Sequence, residues 1–287
     1  MTGILFSLLP LFAWGAGDYI ASKLSKKVNG FSLSFFFSLV GWAAVMPIAL
    51  IMGASQPSAD QVLKFLIGSV GVNAGFILML RGFTNGPAGI VAPIANAYAI
   101  VTALVSWIVF DQNLTILSGL GIVIVVSGIT LVSYAKPTKG EFKNERVALV
   151  SSLLALVCFG IGFSFFGQAA TGEWYENSLW FQTINIIVGG CILLLLQKEG
   201  KVVSLKMLAR LRISYIGGAL GSVGALGLFV ALDSIDRVAV PAAIAAAAPS
   251  VTALLAYIFE KEHLTLLQRS ATVVIISGIV VLALSTS

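Results

Sequence analysis

The chain has 287 residues, of which 58% are apolar and only 10% are charged, and its mean hydropathy is +1.01. Soluble domains are typically about 45–50% apolar and about 25% charged, so this composition argues against a soluble enzyme and against a nucleic-acid-binding protein. The basic residues behind the net charge of +5 lie in short clusters between long apolar runs. That arrangement is typical of an integral membrane protein, in which loop charges set the orientation.

Ten apolar runs are each long enough to cross a membrane as a helix. About 20 residues, rising 1.5 Å each, span a hydrocarbon core roughly 30 Å thick. Backbone polar groups in lipid must be satisfied within the segment, so the sequence predicts an all-α membrane protein. Its ten transmembrane helices are expected at residues 3–22, 31–52, 61–83, 88–110, 114–134, 147–168, 178–197, 213–232, 238–259 and 264–284.

The two halves of the chain match each other at a constant offset. A shift of 150 residues aligns Leu114-Thr115 with Leu264-Thr265 and Ser127-Gly128 with Ser277-Gly278. Matches of this kind at one unchanged offset indicate an internal repeat. The predicted organisation is a first repeat at residues 1–135, a basic linker at 136–146 and a second repeat at 147–287.

Each predicted repeat holds five helices, and this odd number fixes the relative orientation of the two repeats. The second repeat must enter the membrane from the opposite side, which makes the two an inverted pair around a central cavity. Inverted repeats are typical of secondary transporters, because they supply the two-sided symmetry that alternating access needs. A duplication without functional consequence is the alternative interpretation.

The lysines and arginines are distributed unevenly between the two faces of the predicted bundle. Fifteen of the 17 lie in or beside loops of one face, and only Lys64 and Arg237 lie on the other. The positive-inside rule assigns the basic face to the cytoplasm. We therefore expect a multi-pass protein of a bacterial plasma membrane, with cytoplasmic basic loops and both termini outside.

Polar side chains inside the predicted helices are the candidate functional residues, because lipid makes them costly. Asp18 is the candidate for proton coupling, and Trp14 lies one helical turn before it on the same face. An interfacial carboxylate paired with Lys23 is the alternative for Asp18. The residues predicted to contact a substrate are Trp14, Asp18, Asn73, Asn96, Tyr98, Ser164 and Gln168. Ordinary hydrogen bonding between helices is the alternative for the polar ones.

Prolines mark the fourth helix of each half as interrupted. Asn96 and Tyr98 follow Pro93, while Pro241 and Pro249 lie in the ninth predicted helix. Proline lacks an amide hydrogen and can kink a helix. Interrupted helices in corresponding positions of two repeats point to a binding site, although these prolines do not align at the 150-residue offset.

Several short motifs resemble those of the drug/metabolite transporter superfamily, and within it the ten-helix EamA-like branch. They are Trp14-Gly15, Val91-Ala92-Pro93-Ile94 and Lys261-Glu262-His263-Leu264-Thr265. The branch often closes each half with a Gly-Glu-x-Leu-Thr element, which Glu262 matches and Gln112 does not. The resemblance covers nearly the whole chain. It implies a cavity lined mainly by helices 1, 3, 4, 6, 8 and 9, and transport of amino acids, sugars, nucleobases, drugs or similar metabolites.

The sequence contains no catalytic triad, zinc-ligand spacing or Walker motif, so we expect no enzyme activity, metal or cofactor. The predicted function is secondary transport of a small organic metabolite by alternating access, with Asp18 as the candidate for proton coupling. The alternatives are a passive facilitator or channel, and a membrane assembly protein that does not transport. The expected partners are the solute and the lipid bilayer. The helix-packing glycines would serve a homodimer as well as contacts within one chain.

Overall fold

The computed structural model describes residues 2–133, 143–197, 205–235, 238–260 and 266–284. Within these ranges all regular secondary structure is helical and no strand occurs, so the predicted all-α class is confirmed. Most of the predicted linker at 136–146 lies outside the described residues, as do Arg237 and the motif at 261–265.

The helices follow the predicted runs closely. The first half contains α1 (Thr2–Leu24), α2 (Gly30–Ile51), α3 (Ala59–Asn85), α4 (Ala88–Asn96), α5 (Ala99–Phe110) and α6 (Ile116–Ser133). The second half contains α7 (Glu145–Ala169), α8 (Trp174–Gln197), α9 (Leu205–Arg210), α10 (Arg212–Ser234), α11 (Ala239–Ala245), α12 (Ala248–Glu260) and α13 (Leu266–Leu284). The short helix α9 has no counterpart among the predicted elements. The prediction rested on apolar runs long enough to cross a membrane, and α9 has only six residues.

Eight segments of the described chain are long and apolar enough to cross a bilayer, two of them interrupted helices. Helices α6 and α13 contain shorter apolar stretches, Ile116–Leu131 and Val273–Leu282. A count of ten membrane crossings therefore stays a prediction.

Helix α3 begins where its sequence provides a cap. Ser58 Oγ accepts a hydrogen bond from Gln61 N at 3.2 Å, and Gln61 Oε1 accepts one from Ser58 N at 2.9 Å. This reciprocal pair is a capping box, which satisfies two of the backbone donors left free at a helix start. The side chain of Asn144 caps α7 in a related way by accepting from Val147 N at 3.1 Å.

Two long apolar segments are interrupted near their middle. The segment at 88–110 divides into α4 and α5 at Ala97 and Tyr98, and the segment at 238–259 divides into α11 and α12 at Ala246 and Ala247. The second interruption has a direct cause, because Pro249 has no amide hydrogen to donate to the preceding turn. Both interruptions therefore leave irregular backbone in the interior of the bundle.

The helices of the two halves pack against each other in a two-fold pattern. Helix α3 packs along α7 as α1 packs along α10, while α6 pairs with α13 and α2 with α8. Two hydrogen bonds follow the same pattern. Thr102 Oγ1 in α5 donates to the Gly160 carbonyl in α7 at 3.2 Å, and Thr252 Oγ1 in α12 donates to the Gly15 carbonyl in α1 at 2.8 Å. The two threonines are separated by the 150-residue offset of the sequence repeat.

Glycines allow α3 and α7 to approach closely. A Cβ atom on Gly71 would lie 2.8 Å from the Cys158 carbonyl oxygen and 2.9 Å from Gly162 Cα. These neighbours are backbone atoms, which cannot rotate away as a side chain can. The position therefore requires glycine, as small residues do at closely packed membrane helices.

We predict that Gly71→Ala lowers the thermal unfolding midpoint of the purified protein in detergent. Overpacking costs about 1–3 kcal/mol, and the better helix propensity of alanine offsets about 1 kcal/mol of that. Gly119→Ala in α6 is the matched control, because a Cβ there meets no atom within 4 Å. A midpoint for Gly71→Ala equal to or above that of Gly119→Ala would contradict the close contact.

Candidate functional site

A cavity of about 150 Å³ lies between helices of both halves, with lining residues on α1, α2, α3, α4, α7, α8 and α10 and at the α4–α5 interruption. An engineered protein cavity of similar volume binds benzene, so this one has room for a small organic molecule. The family resemblance implied a lining from predicted helices 1, 3, 4, 6, 8 and 9. The second and seventh predicted helices, α2 and α8, also contribute here, and α11 and α12 contribute none of the lining residues described.

Asp18 carries the charge of the cavity. It lines the cavity from α1, and only 7% of its surface is exposed. Asn96 Nδ2 donates to Asp18 Oδ2 at 3.2 Å and is also 3.0 Å from the Ala92 carbonyl oxygen. Within the described chain no lysine, arginine or histidine lies within ion-pair distance of Asp18. The alternative partner, Lys23, has its ammonium group 5.6 Å from the ring centroid of Tyr19.

Aromatic rings form the wall beside Asp18. The ring of Tyr98 stacks on that of Phe163 with centroids 4.6 Å apart, and Phe163 contacts the ring of Trp14 at 5.3 Å. Trp14 is held in place by a hydrogen bond from its Nε1 to the Gly221 carbonyl at 3.1 Å. Tyr98 is 2% exposed, and its hydroxyl has no hydrogen-bond partner among the residues the structure describes. The wall thus combines aromatic rings with one hydroxyl group that forms no hydrogen bond within the described residues.

Neutral polar side chains line the cavity from α2, α3 and α8. Asn73 Nδ2 donates to Asn185 Oδ1 and to the Ser69 carbonyl, the latter at 3.0 Å, so one amide joins the two halves of the chain. Gln182 and Ser34 also line the cavity, and each is 4% exposed. In the described ranges no hydrogen bond engages either side chain, which leaves an amide and a hydroxyl for a bound molecule.

Five of the seven residues predicted to contact a substrate line this cavity. They are Trp14, Asp18, Asn73, Asn96 and Tyr98. Ser164 and Gln168 do not, although both lie on α7. Ser164 Oγ donates to the Gly160 carbonyl of its own helix at 2.7 Å, and α7 instead presents Phe159 and Phe163 to the cavity.

Gln182 and Asn185 share one face of the seventh predicted helix, for which the sequence favours ordinary hydrogen bonding between helices over substrate contact. Their spacing of three residues in an otherwise apolar helix is the signal that could have selected them, because polar groups in such helices are costly. Asn185 does form a hydrogen bond between helices, in which its Oδ1 accepts from Asn73 Nδ2. It also lines the cavity. Ser34 and Ser222 also line it, and a serine in an apolar helix gives no comparable signal because it can bond its own backbone.

Comparison with known proteins agrees with this architecture. The model of the EamA-like transporter family matches the chain twice, over residues 1–134 and 147–284, so the chain has the two-repeat organisation of that family. A protein of Rickettsia prowazekii named as an S-adenosylmethionine uptake transporter is 24% identical over 144 residues, which cover 50% of this chain and 48% of that protein. The chain therefore matches about half the length of that relative.

Two further relatives extend the comparison. A protein of Methanocaldococcus jannaschii named only as uncharacterized is 29% identical over 141 residues, which cover 48% of this chain and 97% of that protein. A solved crystal structure superposes with a TM-score of 0.72 at 15% identity, and the match covers 98% of this chain and 96% of that one. That likeness shows the fold alone.

The family match covers nearly the whole chain, and the members of that family are transporters rather than enzymes. The apolar helices fit this assignment to a multi-pass membrane protein. The chain therefore belongs to the EamA-like transporter family and is an integral membrane protein.

Proposed function

We propose that this protein is a secondary transporter that moves a small organic solute by alternating access and couples the movement to protons at Asp18. The observation that carries the proposal is a cavity at the interface of two matched halves, with one buried carboxylate in its wall. The R. prowazekii relative named as an S-adenosylmethionine uptake transporter supports an organic metabolite as the solute.

An inverted pair of five-helix repeats, at residues 1–135 and 147–287 with a linker at 136–146, is part of the proposal. Two observations support a repeat of this size. The family model matches each half separately, and the M. jannaschii relative, matched over 97% of its length by 141 residues, is about as long as one half. In the two-fold pattern α1 corresponds to α7 and α3 corresponds to α10. The contact between α3 and α7 is therefore equivalent to the contact between α10 and α1. With five crossings each, such repeats have opposite orientations in the membrane.

This symmetry suggests how access to the cavity could alternate. If each half adopts the arrangement that the other half has, a cavity facing one side becomes a cavity facing the other. The interruptions at Ala97–Tyr98 and Ala246–Ala247 are positions where backbone dihedrals can change without bending a continuous helix. The Thr102–Gly160 and Thr252–Gly15 hydrogen bonds tie the helical segment after each interruption to the first helix of the opposite half.

The surroundings of Asp18 support its role in coupling. An ionised carboxylate removed from water is strongly disfavoured unless a counter-charge or several donors compensate it. The structure supplies one amide donor, from Asn96, and no protein cation within ion-pair distance in the described chain. The Asp18 carboxyl group therefore exchanges a proton when the cavity opens to water. Because the cavity opens to one side of the membrane at a time, the proton is exchanged with that side.

We predict that proteoliposomes containing the protein accumulate at least one small metabolite when a pH gradient is imposed. The panel consists of lysine, glutamine, glucose, adenine and choline, each radiolabelled. In Asp18→Asn proteoliposomes the pH-driven accumulation is expected to fall to the level of protein-free liposomes. Asp60→Asn is the matched control, because Asp60 pairs with Lys64 at 2.6 Å at the exposed start of α3, and we expect it to accumulate solute as the parent does.

Three outcomes would count against parts of this proposal. Transport itself is contradicted if no panel member enters faster than through protein-free liposomes. Uptake that never exceeds the external concentration would identify a passive facilitator. Unchanged pH-driven accumulation in Asp18→Asn would remove Asp18 from the coupling step.

The proposed topology places both termini outside the cell and the basic loops in the cytoplasm. We predict that alkaline phosphatase, which is active only outside the cytoplasm, is active when fused to the carboxyl terminus in a bacterial host. A fusion after Lys139, behind five proposed crossings, is expected to be inactive. Activity in the reverse pattern would contradict the orientation, and equal activity at both positions would contradict an odd number of crossings in the second half.

A further inference from the structure

We infer that the solute of this site is a compact organic cation, whose positive charge is bound by the Asp18 carboxylate and by the aromatic wall beside it. This inference rests on the proposed transport function and adds to it the chemical class of the solute.

The first argument is the charge of the cavity. Among the described residues that line it, Asp18 is the only charged one. Its carboxylate has a single amide donor, from Asn96 at 3.2 Å, and no ion-pair partner in the described chain. A cation in the cavity supplies the missing counter-charge directly. An anion would add a second negative charge next to Asp18 with no lysine or arginine in the lining to compensate it.

The second argument is the chemistry of the adjoining wall. Trp14, Phe163 and Tyr98 all line the cavity, and their rings contact one another in series with centroids 5.3 Å and 4.6 Å apart. The faces of aromatic rings attract cations, and this attraction is stronger when the cation is desolvated, as in the recognition of quaternary ammonium groups. A carboxylate beside an aromatic surface therefore favours an alkylated cation over a bare inorganic ion, which the rings would not solvate.

The third argument concerns the side chains of α2 and α8. Gln182 and Ser34 are buried in the cavity wall, and neither forms a hydrogen bond within the described residues. Both are neutral, so they suit a hydroxyl, carbonyl or amide group and offer no counter-charge for a second ionised group. The cavity thus fits a monovalent cation with one neutral polar substituent better than it fits a zwitterion.

Matched probes test this inference on the full-length protein in detergent. Choline has a quaternary ammonium and a hydroxyl group, and 3,3-dimethylbutan-1-ol has the same shape with a carbon in place of the charged nitrogen. Glycine betaine keeps the quaternary ammonium but carries a carboxylate. By isothermal titration calorimetry we expect choline to bind at least about tenfold more tightly than either analogue, a difference of about 1.4 kcal/mol.

Variants separate the carboxylate from a general effect on folding. Asp18→Asn keeps the shape of the side chain and is expected to weaken choline binding at least about tenfold, with no large change in the thermal unfolding midpoint. Asp60→Asn is expected to bind choline as the parent does.

The inference is overturned if choline does not bind, if the neutral alcohol or betaine binds as tightly, or if a folded Asp18→Asn variant keeps its choline affinity. These outcomes are distinguishable from failure of the proposed function. Accumulation of a neutral metabolite without choline binding would reject the cation and leave transport in place. Charge-dependent choline binding without flux of any panel member would reject transport and leave the binding site in place.

Discussion

The buried carboxylate of Asp18 is the constraint around which the cavity is organised. It lies on an apolar membrane helix, 7% exposed, with Asn96 as its hydrogen-bond donor and no protein cation within ion-pair distance in the described ranges. A group in that position is stable only when a proton or another positive charge neutralises it. The proposed proton coupling and the proposed cation binding are therefore two consequences of the same electrostatic requirement.

Close packing between the two halves makes that cavity possible. Glycines such as Gly71 and Gly162 bring α3 and α7 into backbone contact, and α1 and α10 form the corresponding pair. Bulkier helix contacts would separate the elements that bring Asp18, Asn96 and Tyr98 together. Small residues at the interface thus determine where the polar groups meet, although they contribute no chemistry of their own.

Most of the fold could be predicted from the sequence, because lipid imposes long apolar helices and the repeat is visible as a constant offset. The cavity could be predicted only in part. Asp18 and Asn96 were identifiable because polar groups are rare in such helices, whereas Ser164 bonds the Gly160 carbonyl of its own helix and does not line the cavity. The face that a uniformly apolar helix turns inward depends on its packing partners. The sequence therefore marks Gln182 as a polar group in an apolar helix, but only the structure distinguishes a lining role from hydrogen bonding between helices.

Access to the cavity from both sides of the membrane is the central claim of this account. It is tested most directly with Ser222→Cys, a lining position, in a protein whose native Cys158 and Cys191 are replaced by serine. A membrane-impermeant thiol reagent is applied to intact cells and to inverted membrane vesicles. Alternating access predicts modification of the introduced cysteine from each side. Modification from one side only, or from neither, would contradict it.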